Sequence, residues 1–212
     1  LVASTGRPAG WVQGIAHQWP LRAAMAENGA IAFMRQGHGL RTLDPVEPAV
    51  RAARRERLEA LAKDIAARCG LTRTDDAFGR ISDITFDIGE SHRASAEVLA
   101  RARTLAREGG ARSSASSIHF HITLDTFDKA SGAAWLLREV EGEEATRLRH
   151  RWAFIGDSGN DAPCFAAFRT TFGVANAHRY RSAFSRTPRY VASREEGAGF
   201  VQIVKRLLEV KR

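Results

Sequence analysis

The chain has 212 residues, 32 basic (Lys and Arg) and 24 acidic, for a formal charge of +8. That length suits one large domain or two small ones and buries a core without staples, while 44% apolar and 26% charged residues exclude a disordered chain. No run of about 18 apolar residues is present, so no membrane-spanning helix is expected; Cys69 and Cys164, far apart and in no CxxC pattern, exclude a disulfide framework or zinc cluster and fit a reducing, cytoplasmic setting.

In chain order, the sequence opens Leu-Val-Ala-Ser-Thr, without Met and without the basic start of a signal peptide. It reads as the end of a buried strand over 2–4, and a further segment is expected before Leu1. A loop follows, then a short helix with Trp11, Ile15 and Trp19 at helical spacing on its inner face, ended by Pro20. Strands are predicted over 23–26 and 30–34, joined by an Asn28-Gly29 turn. Pro45 and Pro48 mark a linker. A helix over 49–68 carries Leu58, Leu61 and Ile65 on one face and closes at Gly70.

The middle of the chain predicts a strand near 81–88, a helix over 95–107 and a strand in which Ile118, Phe120 and Ile122 alternate with His119 and His121. A helix over 128–140 comes next, then a short apolar strand over 152–155 and a helix carrying Phe165 and Phe168. Strands over 172–175 and 189–192 precede a final helix over 199–209 with Val201, Val204, Leu207 and Leu208 inward. Strand and helix alternate in both flanks, which argues a parallel α/β sheet, and residues 42–124 read as a separate small layer.

The basic excess is nearly all arginine, 28 against 4 lysines. Its densest run, Arg51, Arg54, Arg55 and Arg57, is interleaved with Glu56 and Glu59 and reads as a solvated helix face. No aromatic residues alternate with it, so no nucleic-acid partner is expected. A positive field still favours small anionic substrates such as phosphate esters.

The sharpest local signal is Gly156-Asp157-Ser158-Gly159-Asn160-Asp161, where an apolar strand runs into a turn bearing two carboxylates and then into a helix. Ligands of open α/β sheets bind beyond the carboxyl ends of strands, and grouped oxygen ligands there suit a hard cation such as Mg²⁺. Ser4-Thr5-Gly6-Arg7 also ends an apolar strand, where a hydroxyl and backbone N–H groups could hold a phosphate oxygen. Lys129 opens a helix, against the dipole preference of cations; it either neutralises a phosphate and a carboxylate together or pairs with Asp125 or Asp128 at the surface. His119 and His121 have a spacing that permits metal ligation, but no third ligand is evident and polar side chains facing solvent or substrate fit better. Cys69 and Cys164 read as core packing rather than nucleophiles.

Taken in this order, Ser4-Thr5-Gly6-Arg7-Pro8, Phe127-Asp128-Lys129 and Gly156-Asp157-Ser158-Gly159-Asn160-Asp161 resemble the second, third and fourth motifs of the haloacid-dehalogenase superfamily of phosphatases. The branch most similar is the Cof-type and sucrose-phosphatase-like one. Glu27-Asn28-Gly29-Ala30, Ser116-Ser117-Ile118-His119 and Gly173-Val174-Ala175-Asn176-Ala177 add to the resemblance. It implies a Rossmann-like core of residues 1–41 and 125–212 with an inserted α/β cap over 42–124. It implies a Mg²⁺-dependent phosphatase acting through an aspartyl-phosphate on a phosphorylated sugar or similar small metabolite. By the same resemblance, Thr5 and Gly6 would bind the phosphate, Lys129 would stabilise it with Asn160, and Asp157 and Asp161 would serve the metal. Substrate contacts would come from Arg7, Asn28, Arg80, Asp83, His119 and His121.

The family's first motif, an Asp-x-Asp pair supplying the nucleophile, occurs nowhere in these 212 residues. The expectation is that it lies upstream of Leu1, on a first core strand missing from this chain, and that the chain alone is inactive. The alternative is a nucleophile-free protein that binds phosphometabolites or a partner without catalysis.

Overall fold

A computed structural model describes every residue except Ser117, Glu143, Lys211 and Arg212. Ser117, part of the quoted Ser-Ser-Ile-His segment, therefore lies outside the described residues. The chain divides into two compact units, Leu1–Phe127 and Asp128–Arg212.

The first unit begins with β1 (Val2–Ser4), α1 (Ala9–Gln18), β2 (Ala23–Ala26), β3 (Ile31–Gln36) and β4 (Gly39–Leu43). The sheet order is β1-β2-β3-β4; β1 and β2 run parallel, and β2, β3 and β4 pair antiparallel. The wholly parallel sheet expected from the sequence thus ends here in an antiparallel meander. β4 was not foreseen: its Gly-Leu-Arg-Thr-Leu is mostly exposed at the sheet edge and has no apolar alternation. The hairpin before it turns at Gly37, whose φ of +59° is the left-handed region that glycine enters without a steric penalty.

α1 corrects the predicted inner face. Trp11 and Trp19 are 54% and 55% exposed, and Ala9, Val12 and Ala16 are buried instead. These small side chains let the helix lie close against Ala24, Ala26 and Ile31, a gap that no indole would fit. Trp11 lies on the surface beneath the Arg7 guanidinium, 5.2 Å from its ring centre.

α2 (Pro48–Cys69), β5 (Asp83–Asp87), α3 (Ala96–Glu108), β6 (Arg112–Ala115) and β7 (His119–Thr123) form a second layer. Its antiparallel sheet has the order β5-β7-β6. Pro48 suits the first turn of α2, and Gly70, with φ of +66°, caps its end. Ser95 caps α3 by accepting the Val98 amide. Leu58, Ala62 and Ile65 of α2 and Ala102, Leu105 and Ala106 of α3 pack on Ile84, Phe86, Phe120 and Ile122. This cluster is separate from the one around α1. Both chain passages between the two layers are tied to α2: Arg51 bonds Asp44 in the first and Asp125 in the second, and Arg54 also pairs with Asp125.

The second unit holds α4 (Lys129–Glu141), α5 (Ala145–Arg151), β8 (Ala153–Gly156), α6 (Ala162–Ala167), β9 (Thr170–Gly173), β10 (Tyr190–Val191) and α7 (Glu196–Val210). Its sheet is parallel throughout, in the order β10-β9-β8. Phe154, Phe165, Phe168 and Phe184 make a contiguous aromatic group beside it. α7 turns Gly199 and Ile203 inward, with Val204 and Leu207 half-buried, and leaves Val201 and Leu208 exposed, contrary to the expected face. Cys164 is buried and free, as a core residue, and burial pushes its thiol far above its ordinary value. Among the described residues no helix is long and apolar enough to cross a membrane.

Phe120 is fully buried at the centre of the second layer of the first unit. Phe120→Ala should lower unfolding free energy by about 3–5 kcal/mol, read as a reduced urea midpoint with an unchanged slope.

Candidate functional site

In the second unit, β8 delivers Gly156 and Asp157 to its carboxyl end, where a short 3₁₀ turn over Gly159–Asp161 leads into α6. Asp161 is buried, and both its carboxylate oxygens are engaged. Oδ1 accepts the Lys129 ammonium at 2.6 Å. Oδ2 accepts the backbone amides of Asp157 and Ser158 at 2.8 and 3.0 Å and the Ser158 hydroxyl at 3.3 Å. Gly156 is required by this arrangement, since a Cβ there would stand 2.7 Å from the Asp161 carboxyl carbon.

Lys129 is the first residue of α4, whose N-cap Asp128 accepts the amides of Ala130 and Ser131 in a capping box. The cap fixes the helix start and aims the buried Lys129 side chain at Asp161 and at Asn160 Oδ1, 3.3 Å away. The alternative partners considered from sequence, Asp125 and Asp128, are engaged elsewhere: Asp125 with Arg51 and Arg54, Asp128 with its own helix. Asp157 is exposed, and its Oδ2 accepts from the Asn176 side-chain amide at 3.2 Å. Asn176 is buried and also accepts the Glu196 amide, which locks its orientation. Its place in the quoted Gly173–Ala177 segment was visible in sequence; its contact with Asp157 was not.

In the first unit, Thr5, Gly6 and Arg7 follow β1 and are pinned by the hairpin turn between β2 and β3. The Asn28 amide donates to the Thr5 carbonyl, the Glu27 amide to the Arg7 carbonyl, and the Arg7 amide to Thr5 Oγ1. Asn28 adopts a φ of +55°, and its side chain lies against Gly6, where a Cβ would meet Asn28 Oδ1 at 3.0 Å. Ser4 Oγ, at the end of β1, is buried without a hydrogen-bond partner among the described residues.

Arg80, Asp83 and His121 come together, but on one another. The Arg80 side chain is 1% exposed and reaches Asp76, Asp83 and the Gly6 carbonyl. Asp83 Oδ2 also meets His121 Nδ1 at 2.9 Å, and Thr85 Oγ1 lies 3.1 Å from the same nitrogen. His119 pairs separately with Glu90 at 3.1 Å. Glu27 and Asp76 were missed as parts of this network. The Glu27 carboxylate accepts the amides of Ala9, Ile81, Ser82 and Asp83 and so joins α1 to the lead-in of β5. Among the described residues no group of three or more His, Cys, Asp or Glu forms a metal cluster.

Burial works to raise the Asp83 carboxyl, but the His121 hydrogen bond and the Arg80 charge outweigh it, and it lies below its ordinary range. Asp76 is lowered in the same way, against burial, by Thr74 and Arg80. Glu27 goes the other way: burial and the Asp83 charge raise it, against the pull of its backbone donors.

No family model matches the sequence, and no curated protein matches it. Solved structures do match the fold. A protein of Thermoplasma acidophilum aligns over 97% of this chain and 81% of its own, with TM-score 0.72 and 21% identity. The fold is similar to that of solved proteins described as haloacid-dehalogenase-like. The sucrose-phosphatase of Synechocystis, solved with sucrose and phosphate, aligns over 97% of this chain and 83% of its own, with TM-score 0.65 and 17% identity. A subclass IIB sugar phosphatase of the haloacid-dehalogenase superfamily aligns over 97% and 84%, with TM-score 0.65 and 14% identity.

Two measurements test the geometry. Gly156→Ala should cost about 1–3 kcal/mol in urea unfolding, because the added methyl displaces the Asp161 carboxylate. Asp76 and Asp83, lowered in the folded chain, stabilise it fully above their unfolded values of about 3.9 and lose that contribution as pH falls through the lower folded values. Glu27, raised, contributes at low pH and loses its contribution as pH rises. Tm should therefore fall below about pH 4, and Asp83→Asn, less stable at neutral pH, should show a shallower fall in that acid window.

Proposed function

We propose that the protein is a Mg²⁺-dependent phosphatase of small phosphorylated metabolites, sugar phosphates foremost, whose nucleophilic carboxylate belongs to an Asp-x-Asp outside these 212 residues. The observation that carries this reading is the Lys129–Asp161–Asn160 cluster beside Asp157 at the carboxyl end of β8. The sucrose-phosphatase and the sugar phosphatase among the similar folds support the substrate class. The two separate hydrophobic clusters of the first unit support a distinct layer over 42–124; that 125–212 forms one core with 1–41 is implied by the family resemblance.

The chemistry assigned to each residue follows from its contacts. An ammonium has three N–H donors; Lys129 directs two to Asn160 and Asp161 and keeps one for a phosphoryl oxygen. Its charge is held in place before substrate arrives, so reorganisation costs little. Thr5 and the Gly6 backbone are assigned to the phosphate by the motif they resemble; the Asn28 amide braces them, and the Arg7 guanidinium lies over Trp11. Arg80 donates to the Gly6 carbonyl and acts with Asp83 as a positioning pair, since their polar atoms are engaged with each other rather than free for substrate. His119 and His121 are engaged in the same manner.

The oxygen donors fit a hard cation through Asp157, because Mg²⁺ takes one or two carboxylates together with water and the substrate's phosphate. Asp161, with both oxygens occupied, orients the Asp157 backbone and Lys129 instead of offering a free ligand atom. Bound at Asp157, Mg²⁺ would neutralise phosphoryl oxygens.

A second reading, a phosphometabolite binder without catalysis, is favoured by the absence of any Asp-x-Asp in the 212 residues. Phosphate release by the product of the complete reading frame separates the two. Hydrolysis of sugar phosphates that needs Mg²⁺, and that falls at least about a hundredfold in kcat/KM with Lys129→Ala or Asp157→Ala, supports the phosphatase. The 212-residue chain alone should bind phosphate analogues without turnover; Mg²⁺-dependent turnover by it would overturn the assignment of the nucleophile.

A further inference from the structure

We propose that the second unit carries a separate anion site at the amino ends of β8, β9 and β10, opposite the Asp157 turn, and that its ligand is a small molecule bearing two or more linked phosphates. The strands are parallel, so the segments preceding all three converge at one end of the sheet. There they line a cavity of about 650 Å³. Arg149 and His150 come from the segment before β8, Arg169 from that before β9, and Arg186 and Arg189 from that before β10. Four-residue strands put this end about 13 Å from the carboxyl ends.

The charge pattern is what sets the cavity apart. Its lining contains four arginines, a histidine and no carboxylate. Elsewhere the chain matches its buried arginines with acids: Arg51 with Asp44 and Asp125, Arg80 with Asp76 and Asp83. Here, among the described residues, Arg149, Arg169 and Arg186 have no acidic partner, and Arg189 lies over the Tyr190 ring at 5.7 Å. Gathering unpaired cations around one concavity costs self-repulsion, which an anion removes.

Arg149 Nε is buried and has no hydrogen-bond acceptor among the described residues. A buried donor without an acceptor is costly, and an anionic oxygen is the strongest acceptor a guanidinium can meet. The planar fork of arginine matches phosphate oxygens two at a time. One orthophosphate would occupy a small part of 650 Å³ and could not answer four arginines at once, whereas a linked phosphate chain can. Phe165, Phe168 and Pro188 close the cavity with apolar surface, room for a group attached to the phosphates.

The test is isothermal titration of the 212-residue chain at about 0.15 M salt, where the general attraction of a +8 chain for anions is screened. Tripolyphosphate and ATP are the probes, with orthophosphate as the reference. Tripolyphosphate should bind at least tenfold more tightly than orthophosphate. Arg169→Glu with Arg186→Glu, both exposed positions, should weaken it at least tenfold, and Arg169→Gln alone at least threefold with an unchanged melting temperature. ATP binding more tightly than tripolyphosphate would add the apolar wall to the site. Insensitivity to the arginine substitutions, or no binding of either probe, would overturn the proposal. Tighter binding of a short single-stranded oligonucleotide than of either probe, with the same sensitivity, would overturn the ligand class.

Discussion

A carboxylate with no access to water must have its oxygens matched by donors, and Asp161 meets that condition with an ammonium, two backbone amides and a hydroxyl. Each donor fixes a different part of the candidate site. The ammonium fixes the start of α4. The amides fix the turn after β8 and so the direction of Asp157. The demand propagates inward to Gly156, where no larger residue fits, and outward to Asn176, which holds the Asp157 side chain. Burial makes the arrangement rigid, because an unmatched oxygen would cost more than the hydrogen bond it lost.

The first unit solves a similar problem with Glu27 and Arg80. Glu27 accepts amides from Ala9 and from residues 81–83, so one side chain stitches α1 to the approach of β5. Arg80 then joins Asp76 and Asp83 to the carbonyl of Gly6. The loop after β1 is held from both sides by groups that make no direct claim on a ligand. Buried charges of this kind add little net stability compared with apolar packing, and their clearest contribution is a single geometry.

The geometry of the candidate turn was more legible in the sequence than the surfaces around it. The Gly156–Asp161 turn was legible because a strand, a glycine and two carboxylates in that order leave few structural uses. The strand alternation around Phe120 was legible for the same reason, a pattern with period two. The inner face of α1 was misread because tryptophan outweighs alanine in any hydrophobic count, whereas close packing on Ala24 and Ala26 favoured the small residues. β4 and β6 escaped because exposed edge strands need no apolar period. Arg80 and Asp83 were singled out as substrate contacts, and only the three-dimensional arrangement reveals that they are bonded to each other. The convergence of Arg149, Arg169, Arg186 and Arg189 had no signature in sequence, since their spacing of up to 40 positions becomes proximity only through parallel pairing of β8, β9 and β10.

Arg51 has a mechanical consequence. It grips Asp44 in one linker and Asp125 in the other, while Arg54 shares Asp125 from the next turn of the same helix. Two strings knotted to one peg cannot slide past each other. Glu27, bonded to the amides of residues 81–83, and Arg80, bonded to the Gly6 carbonyl, fasten residues 48–123 to the first layer at points well away from the two linkers. A swing of this layer about its linkers would have to break buried hydrogen bonds to charged groups as well as the clasp, so the two layers are held as one body.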